Sequence, residues 1–153
     1  MKILVDADSC PKPARELVLK RAVKLDLKLI FAANRAIPVY GGAVMEICPN
    51  SENAADDRIV ELSEPGDLAV TRDIPLAKRL IEKNVLVLDD RGRVFSHDNI
   101  NEFLSLRNFI VGLADNGLDI ERSSGYGKKE FKTFADNLER ILSKYNPTLK
   151  NCF

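Results

Sequence analysis

Near the amino end, Ile3-Leu4-Val5 runs directly into Asp6-Ala7-Asp8, and Ser9-Cys10-Pro11 follows at once. A short apolar run that stops at acid and passes into a proline-led segment reads as a strand, a turn and a helix start. Pro11 and Pro13 fit only in the first turn of that helix, where their missing N–H groups cost nothing. Ala14, Leu17, Val18, Ala22 and Leu25 then recur at helical spacing, with Arg21 the polar exception. In an open α/β sheet, ligands bind outside the carboxyl ends of the strands. Side chains two apart on a strand share a face, so Asp6 and Asp8 are expected to converge unless Asp8 has already turned into the loop. Converging carboxylates repel each other and lose hydration unless a cation neutralises them. The pattern points to a hard-metal site.

The rest of the chain repeats this alternation. Leu27 to Ala33 reads as a second strand with Asn34-Arg35 at its carboxyl end, and Ile37 to Gly42 as a loop punctuated by Pro and Gly. Ala43 to Cys48 is a short third strand. Asn53 to Leu62 is a helix, capped by Ser51 or Asn53, whose acidic first turn suits the helix dipole. Leu68 to Thr71 is a strand with Arg72-Asp73 at its end. Ile74 to Lys83 is a helix stopped by Asn84, and Val85 to Leu88 a strand ending in Asp89-Asp90. Val94-Phe95 reads as a short returning strand. A long helix runs from Ile100 to Ala114, and an amphipathic one from Phe131 to Tyr145. Between them, 119–129 reads as a mobile Gly-rich loop. Strands alternating with helices predict an α/β fold: three layers, a mainly parallel sheet with helices on both faces, as one domain over 1–153.

Several function classes drop out on composition. No apolar run approaches the roughly 18 residues of a membrane helix, and Lys2 is followed by only three apolar residues before acid, so no signal peptide or membrane contact is expected and the chain reads as cytoplasmic. Lys plus Arg equals Asp plus Glu at 23 each, so any nucleic-acid affinity has to come from local clustering. Cys10, Cys48 and Cys152 are far apart and lack CxxC spacing, which argues against disulfides and zinc knuckles. Cys10 beside Asp6 and Asp8 reads as a small buried thiol. The single histidine, His97, lies in a polar stretch and reads as a solvated turn residue.

Acids recur where strands end: Asp6 and Asp8 after the first, Asp73 after the fourth, Asp89 and Asp90 after the fifth, with Asp56 and Asp57 opening the helix before the fourth. In a parallel sheet those ends share one edge, with Asn34 nearby. Such a cluster suits Mg²⁺ or Mn²⁺ held by carboxylates and waters, with open positions for phosphate oxygens. Asp89-Asp90 before Arg91-Gly92 reads as a plain turn.

Val5-Asp6-Ala7-Asp8-Ser9-Cys10-Pro11, Ala55-Asp56 with Ile59-Val60, Gly66-Asp67-Leu68, and Thr71-Arg72-Asp73-Ile74-Pro75-Leu76-Ala77 resemble the YaiI/YqxD family of bacterial proteins. So do Arg91-Gly92 with Asn99-Ile100 and Phe134-Ala135-Asp136-Asn137-Leu138, so the resemblance spans nearly the whole chain. That family resembles PIN-like domains, whose acidic site binds Mg²⁺ or Mn²⁺ and cuts phosphodiesters. The resemblance implies a PIN-like fold and a metal held by Asp6, Asp56 and Asp73, with Asp8 a further catalytic candidate. Two positions depart from the family pattern: Asn53 stands where Asp is common, and Asp89-Asp90 where Asn-Pro is common.

Three functions compete. The first is a metal-dependent ribonuclease in which Asp6, Asp8, Asp56 and Asp73 are catalytic. Asn34, Arg35, Arg72 and Arg91, with Lys78, Arg93 and the 122–129 loop, would meet the RNA, and Tyr126 would stack on a base. The second is a haloacid-dehalogenase-like phosphatase, with Asp6 as nucleophile and Asp8 as acid/base. The third is a non-catalytic module that binds RNA or protein. No organic cofactor is expected. The apolar faces of the last two helices would pack on the sheet or form a homodimer seam.

Overall fold

The computed structural model of the chain describes residues 1–39, 41–51, 53–117 and 125–145. Tyr40, Arg122, Cys152, most of the expected 119–129 loop and the tail after Pro147 lie outside the described residues.

Six strands form one sheet: β1 (Lys2–Asp6), β2 (Lys28–Ala33), β3 (Val44–Ile47), β4 (Leu68–Val70), β5 (Leu86–Leu88) and β6 (Val94–Phe95). They lie in the order β3-β2-β1-β4-β5-β6, parallel except for β6, which returns antiparallel to β5. The helices are α1 (Lys12–Leu25), α2 (Ala54–Leu62), α3 (Ile74–Glu82), α4 (Ile100–Asp115) and α5 (Lys128–Tyr145). This is the mainly parallel α/β sheet expected, in an arrangement consistent with a PIN-like one.

Strand alternation divides the core into two layers. Ile3, Val5, Leu29, Phe31, Leu68 and Val70 face α1 and α5, where Ala14, Val18, Phe134 and Leu138 meet them. Leu4, Ile30, Ala32, Ala69 and Val87 face the other way, onto Ile59 of α2, Leu76, Leu80 and Ile81 of α3, and Ile100 at the start of α4. Each fully buried aliphatic or aromatic side chain contributes about 1.5–3 kcal/mol, so both faces of the central strands hold the sheet in register. Arg21, the polar residue on the apolar face of α1, forms an ion pair with Glu139 of α5.

The helix boundaries follow local chemistry. The N–H of Leu76 donates to Asp73 Oδ1 at 3.1 Å, so Asp73 caps α3, and Asn84 at φ 61 ends that unit in the left-handed conformation its sequence predicts. α5 starts a turn earlier than expected, at Lys128. The largest departure is in α4. Its apolar face is expected to pack on the sheet or form a dimer seam; within the chain only Ile100 is fully buried, and Leu106, Phe109, Ile110 and Val111 are exposed, Phe109 by 63%. Among the described residues, no helix is long and apolar enough to cross a membrane.

The connection from β2 to β3 is unusual. Parallel neighbours are normally joined through a helix, but the described residues between 34 and 43 form none. Ile37, Val39 and Ala43 instead pack on the α1 side of the sheet. Topology then fixes where a ligand site can form. The chain builds β1, β2 and β3 outward in one direction, then crosses back through α2 to place β4 on the other side of β1. The strand order reverses at β1 and β4, and a crevice opens beyond their carboxyl ends.

Candidate functional site

Asp6 is the last residue of β1, 7% exposed, on the α2/α3 side of the sheet. Two hydroxyls hold its carboxylate. Thr71, which follows β4, donates to Asp6 Oδ2 at 2.9 Å, and Ser9 donates to the same oxygen at 3.1 Å. Both bonds fall on Oδ2, and Oδ1 receives neither. Thr71 Oγ1 also accepts from the N–H of Asp73 at 3.1 Å, so one hydroxyl ties the end of β1 to the cap of α3. Ser9 and Thr71 stand in motifs of the sequence but are not among its candidate site residues, and their hold on Asp6 was missed. The signals were present, in a Ser three residues after the strand-end acid and a Thr at the matching end of the partner strand.

Asp56, in the first turn of α2, reaches the same crevice. Its carboxyl is pushed from the ordinary 3.8 to about 6 by burial first, then by the charges of Asp73 and Asp6 and by a hydrogen bond shared with Asp73. Burial also raises Asp6, the Thr71 and Ser9 hydroxyls oppose that rise, and Asp73 and Asp8 add to it. Asp6, Asp56 and Asp73, from three separate elements, thus feel one another through a partly dry medium.

Asp8 does not continue the strand. β1 ends at Asp6, and Asp8 lies exposed in the turn, so the loop alternative, not same-face convergence, is what occurs. Its Oδ2 accepts from the N–H of Asn34 at 2.9 Å, and Arg35 Nε lies 4.0 Å from its Oδ1. Asp6, Asp8, Ser9, Asn34, Asn53 and Asp56 line an open cleft of about 280 Å³. Asn34 also donates from Nδ2 to Asn50 Oδ1 at 3.1 Å.

The other basic candidates lie elsewhere. Arg72 reaches buried Asp90 at 2.5 Å. The N–H of Arg91 donates to Asp89 Oδ1 at 3.0 Å, and Arg93 Nε meets Asp89 Oδ2 at 2.6 Å. Asp89 and Asp90 are therefore more than a plain turn. Both are buried, both are engaged by arginines, and neither lines the cleft. The turn they organise is tight: Gly92 has φ 91, and a Cβ there would stand 2.7 Å from the Thr133 carbonyl carbon. Tyr126, expected to stack on a base, packs instead against the α1/α5 core with its hydroxyl buried. Burial pushes the Cys10 thiol up to about 12, which fits the small buried cysteine expected, and His97 is exposed in a turn.

Carboxylate oxygens are the donor chemistry a hard divalent cation takes, and in that respect the residues fit Mg²⁺ or Mn²⁺. Among the described residues, however, no three His, Cys, Asp or Glu side chains are already grouped to hold an ion. Asp56, pushed up to about 6 by burial and by the charges of Asp73 and Asp6, would have to give up its proton to take a cation.

A pH dependence follows. The folded protein binds the Asp56 proton more tightly than the unfolded chain does. Its contribution to stability is fully present below about pH 4 and is lost as pH rises through about 6. Melting temperature in EDTA should fall between those values, and Asp56→Asn should flatten the fall. Parallel profiles for parent and variant would contradict the assignment.

Fold and cleft define an α/β protein with acids gathered at the switch point of a parallel sheet. A family model described as "Uncharacterized BCR, YaiI/YqxD family" matches residues 4–144. The chain belongs to that family. A UPF0178 protein of Treponema denticola is 52% identical over 144 residues, covering 94% of this chain and 93% of the relative. UPF0178 proteins of Pseudomonas putida W619 and Pseudomonas aeruginosa PAO1 are 39% and 40% identical over 146 residues, covering 94% of this chain and 97% and 91% of the relatives. No solved structure matches.

Proposed function

We propose that this chain is a single PIN-like domain that hydrolyses RNA phosphodiesters with Mg²⁺ or Mn²⁺ in the switch-point cleft. The observation that carries this reading is that Asp6 and Asp56 are both pushed toward the neutral form, by burial first and then by neighbouring acids that include Asp73. Three carboxylates brought together against their own repulsion need a compensating charge. Asp6, Asp56 and Asp73 would hold the ion, and Asp8 would contact its waters. Bound there, the ion would supply Lewis-acid stabilisation of the phosphate and a more acidic water.

The chain's own residues do the remaining work. Ser9 and Thr71 fix Asp6 by binding one oxygen, which leaves the other for the cleft. Asn34 holds the Asp8 carboxylate at the rim, and its neighbour Arg35, with a side chain 70% exposed, is positioned to meet a phosphate. Arg72 and Arg91 would approach the strand from the Asp89–Asp90 turn.

The phosphatase reading needs a second acid, Asp89 or Asp90, beside Asp6. Both are tied to arginines, Asp89 to Arg93 and Asp90 to Arg72, which counts against it. The test is cleavage of labelled single-stranded and hairpin RNA by purified protein with Mn²⁺. Cleavage that EDTA and Asp56→Asn both abolish is expected. Activity lost on Asp90→Asn, with phosphate trapped on Asp6, would replace this reading with the phosphatase. RNA retained without cutting would leave a binding module.

A further inference from the structure

The helix-free crossover from β2 to β3 leaves a second cavity, on the opposite face of the sheet from the acids. It has a volume of about 250 Å³, and its walls are Leu19 of α1, Phe31 of β2 and Ile37 and Pro38 of the crossover, with the charged side chains of Lys12, Arg15 and Glu16 completing the lining. We propose that this pocket seats one nucleobase of the RNA strand, its flat ring on the apolar floor and its phosphate between Lys12 and Arg15. The proposal rests on the ribonuclease reading and adds a substrate subsite to it.

Three observations support this occupant. First, the chemistry is divided as a nucleotide's is. Apolar walls suit a ring, which binds by stacking and contact regardless of base identity, and two cations suit a phosphate.

Second, the cations are available. Lys12 meets Glu16 only at 3.9 Å, and both side chains are mostly exposed, so that pair is weak. Arg15 Nη1 makes only long contacts, at 3.5 Å to the Ala7 carbonyl and 3.4 Å to the Cys10 carbonyl. A phosphate oxygen is a stronger acceptor than either.

Third, pocket and cleft draw their linings from the same two segments of chain, although no residue lines both. The carbonyls Arg15 touches belong to the turn that carries Asp8. The crossover that gives the pocket Ile37 also gives the cleft Asn34. Three residues of chain span at most about 11 Å. A strand with one base in the pocket therefore passes over the sheet edge toward the acids.

The test uses the full chain in EDTA, where nothing is cut, with 5′-AMP and 5′-UMP as probes and ribose 5-phosphate as the control lacking a base. Amide shifts in NMR titrations should centre on Lys12, Arg15, Leu19 and Ile37. Both nucleotides should bind more tightly than the control. Lys12→Gln with Arg15→Gln should weaken them about tenfold. Ile37→Ser, a neutral change in the crossover and away from the carbonyls Arg15 holds, should also weaken nucleotides but leave the control unchanged. Asp6→Asn should bind nucleotide as the parent does, which separates failure of the pocket from failure of the acidic site. Equal binding of nucleotides and control, shifts confined to the acidic cleft, or unchanged affinity in the Ile37→Ser protein would each overturn the proposal.

Discussion

An Asp6→Asn protein should fold, keep or raise its melting temperature, and lose both Mn²⁺ binding and RNA cleavage. The substitution conserves shape, and the amide oxygen still accepts from Thr71 and Ser9. It removes the one proposed ligand that is fixed on a strand. Losing an outer partner of a metal ligand costs roughly 10–100-fold in affinity, so losing the ligand itself should cost at least about a hundredfold. Stability moves the other way. Burial and the neighbouring acids disfavour the charged Asp6 carboxyl, so a neutral amide relieves the folded state near pH 7. Function lost with stability kept marks a group retained for chemistry. A variant that cuts RNA as fast as the parent would contradict the assignment.

The opposite signature is expected at Asp89. Its side chain is fully buried, and it accepts from the N–H of Arg91 at 3.0 Å, the N–H of Arg93 at 2.7 Å and Arg93 Nε at 2.6 Å. Asp89→Ala leaves those donors without their acceptor in the turn between β5 and β6. The Arg93 guanidinium, which also lies over the Phe95 and Phe103 rings, loses its anchor. The cost should be about 3 kcal/mol, a fall in melting temperature of about 10 °C for a chain of this length. Asp8→Ala, at an exposed position in the turn, should change stability by only about 0.5 kcal/mol. Thermal melts of the two variants side by side make the comparison. An Asp89→Ala protein as stable as Asp8→Ala would show that the turn does not depend on that carboxylate.

These contrasts mark where the sequence was readable. Central strands covered on both faces appear as near-continuous apolar runs, so Ile3–Val5, Leu29–Ala33 and Leu68–Val70 were visible as strands. Asp73 reads as a strand-end acid, and its capping of α3 comes only with the structure. Strand order was not visible, because the pairing of β1 with both β2 and β4 depends on which face each crossover covers. That order is what brings Asp56 and Asp73 toward Asp6. The i, i+2 spacing of Asp6 and Asp8 left two outcomes open because it implies a shared face only while the strand lasts; β1 ends at Asp6, so Asp8 follows the loop alternative.

Asp89 and Asp90 read as a plain turn because acids before Arg-Gly usually form one. Their burial depends on Arg72, which arrives from a neighbouring strand end, and on Arg93 at the i+4 position. In α4, periodicity pointed to an apolar face that packs on the sheet or forms a dimer seam, and the described residues cover it only at the first turn, where Ile100 and Phe103 pack near α3. From Leu106 onward the same pattern faces outward.

The central proposal is that the acids at the β1/β4 switch point form a divalent-cation site. Calorimetric titration of the parent protein with Mn²⁺, beside Asp6→Asn, Asp56→Asn and Asp73→Asn, tests it most directly. The account predicts saturable binding to the parent at about 10⁻⁶–10⁻⁵ M, the range of sensor-type carboxylate sites, and marked weakening by each substitution. Binding to the parent only near about 10⁻³ M, unchanged in all three variants, would contradict it.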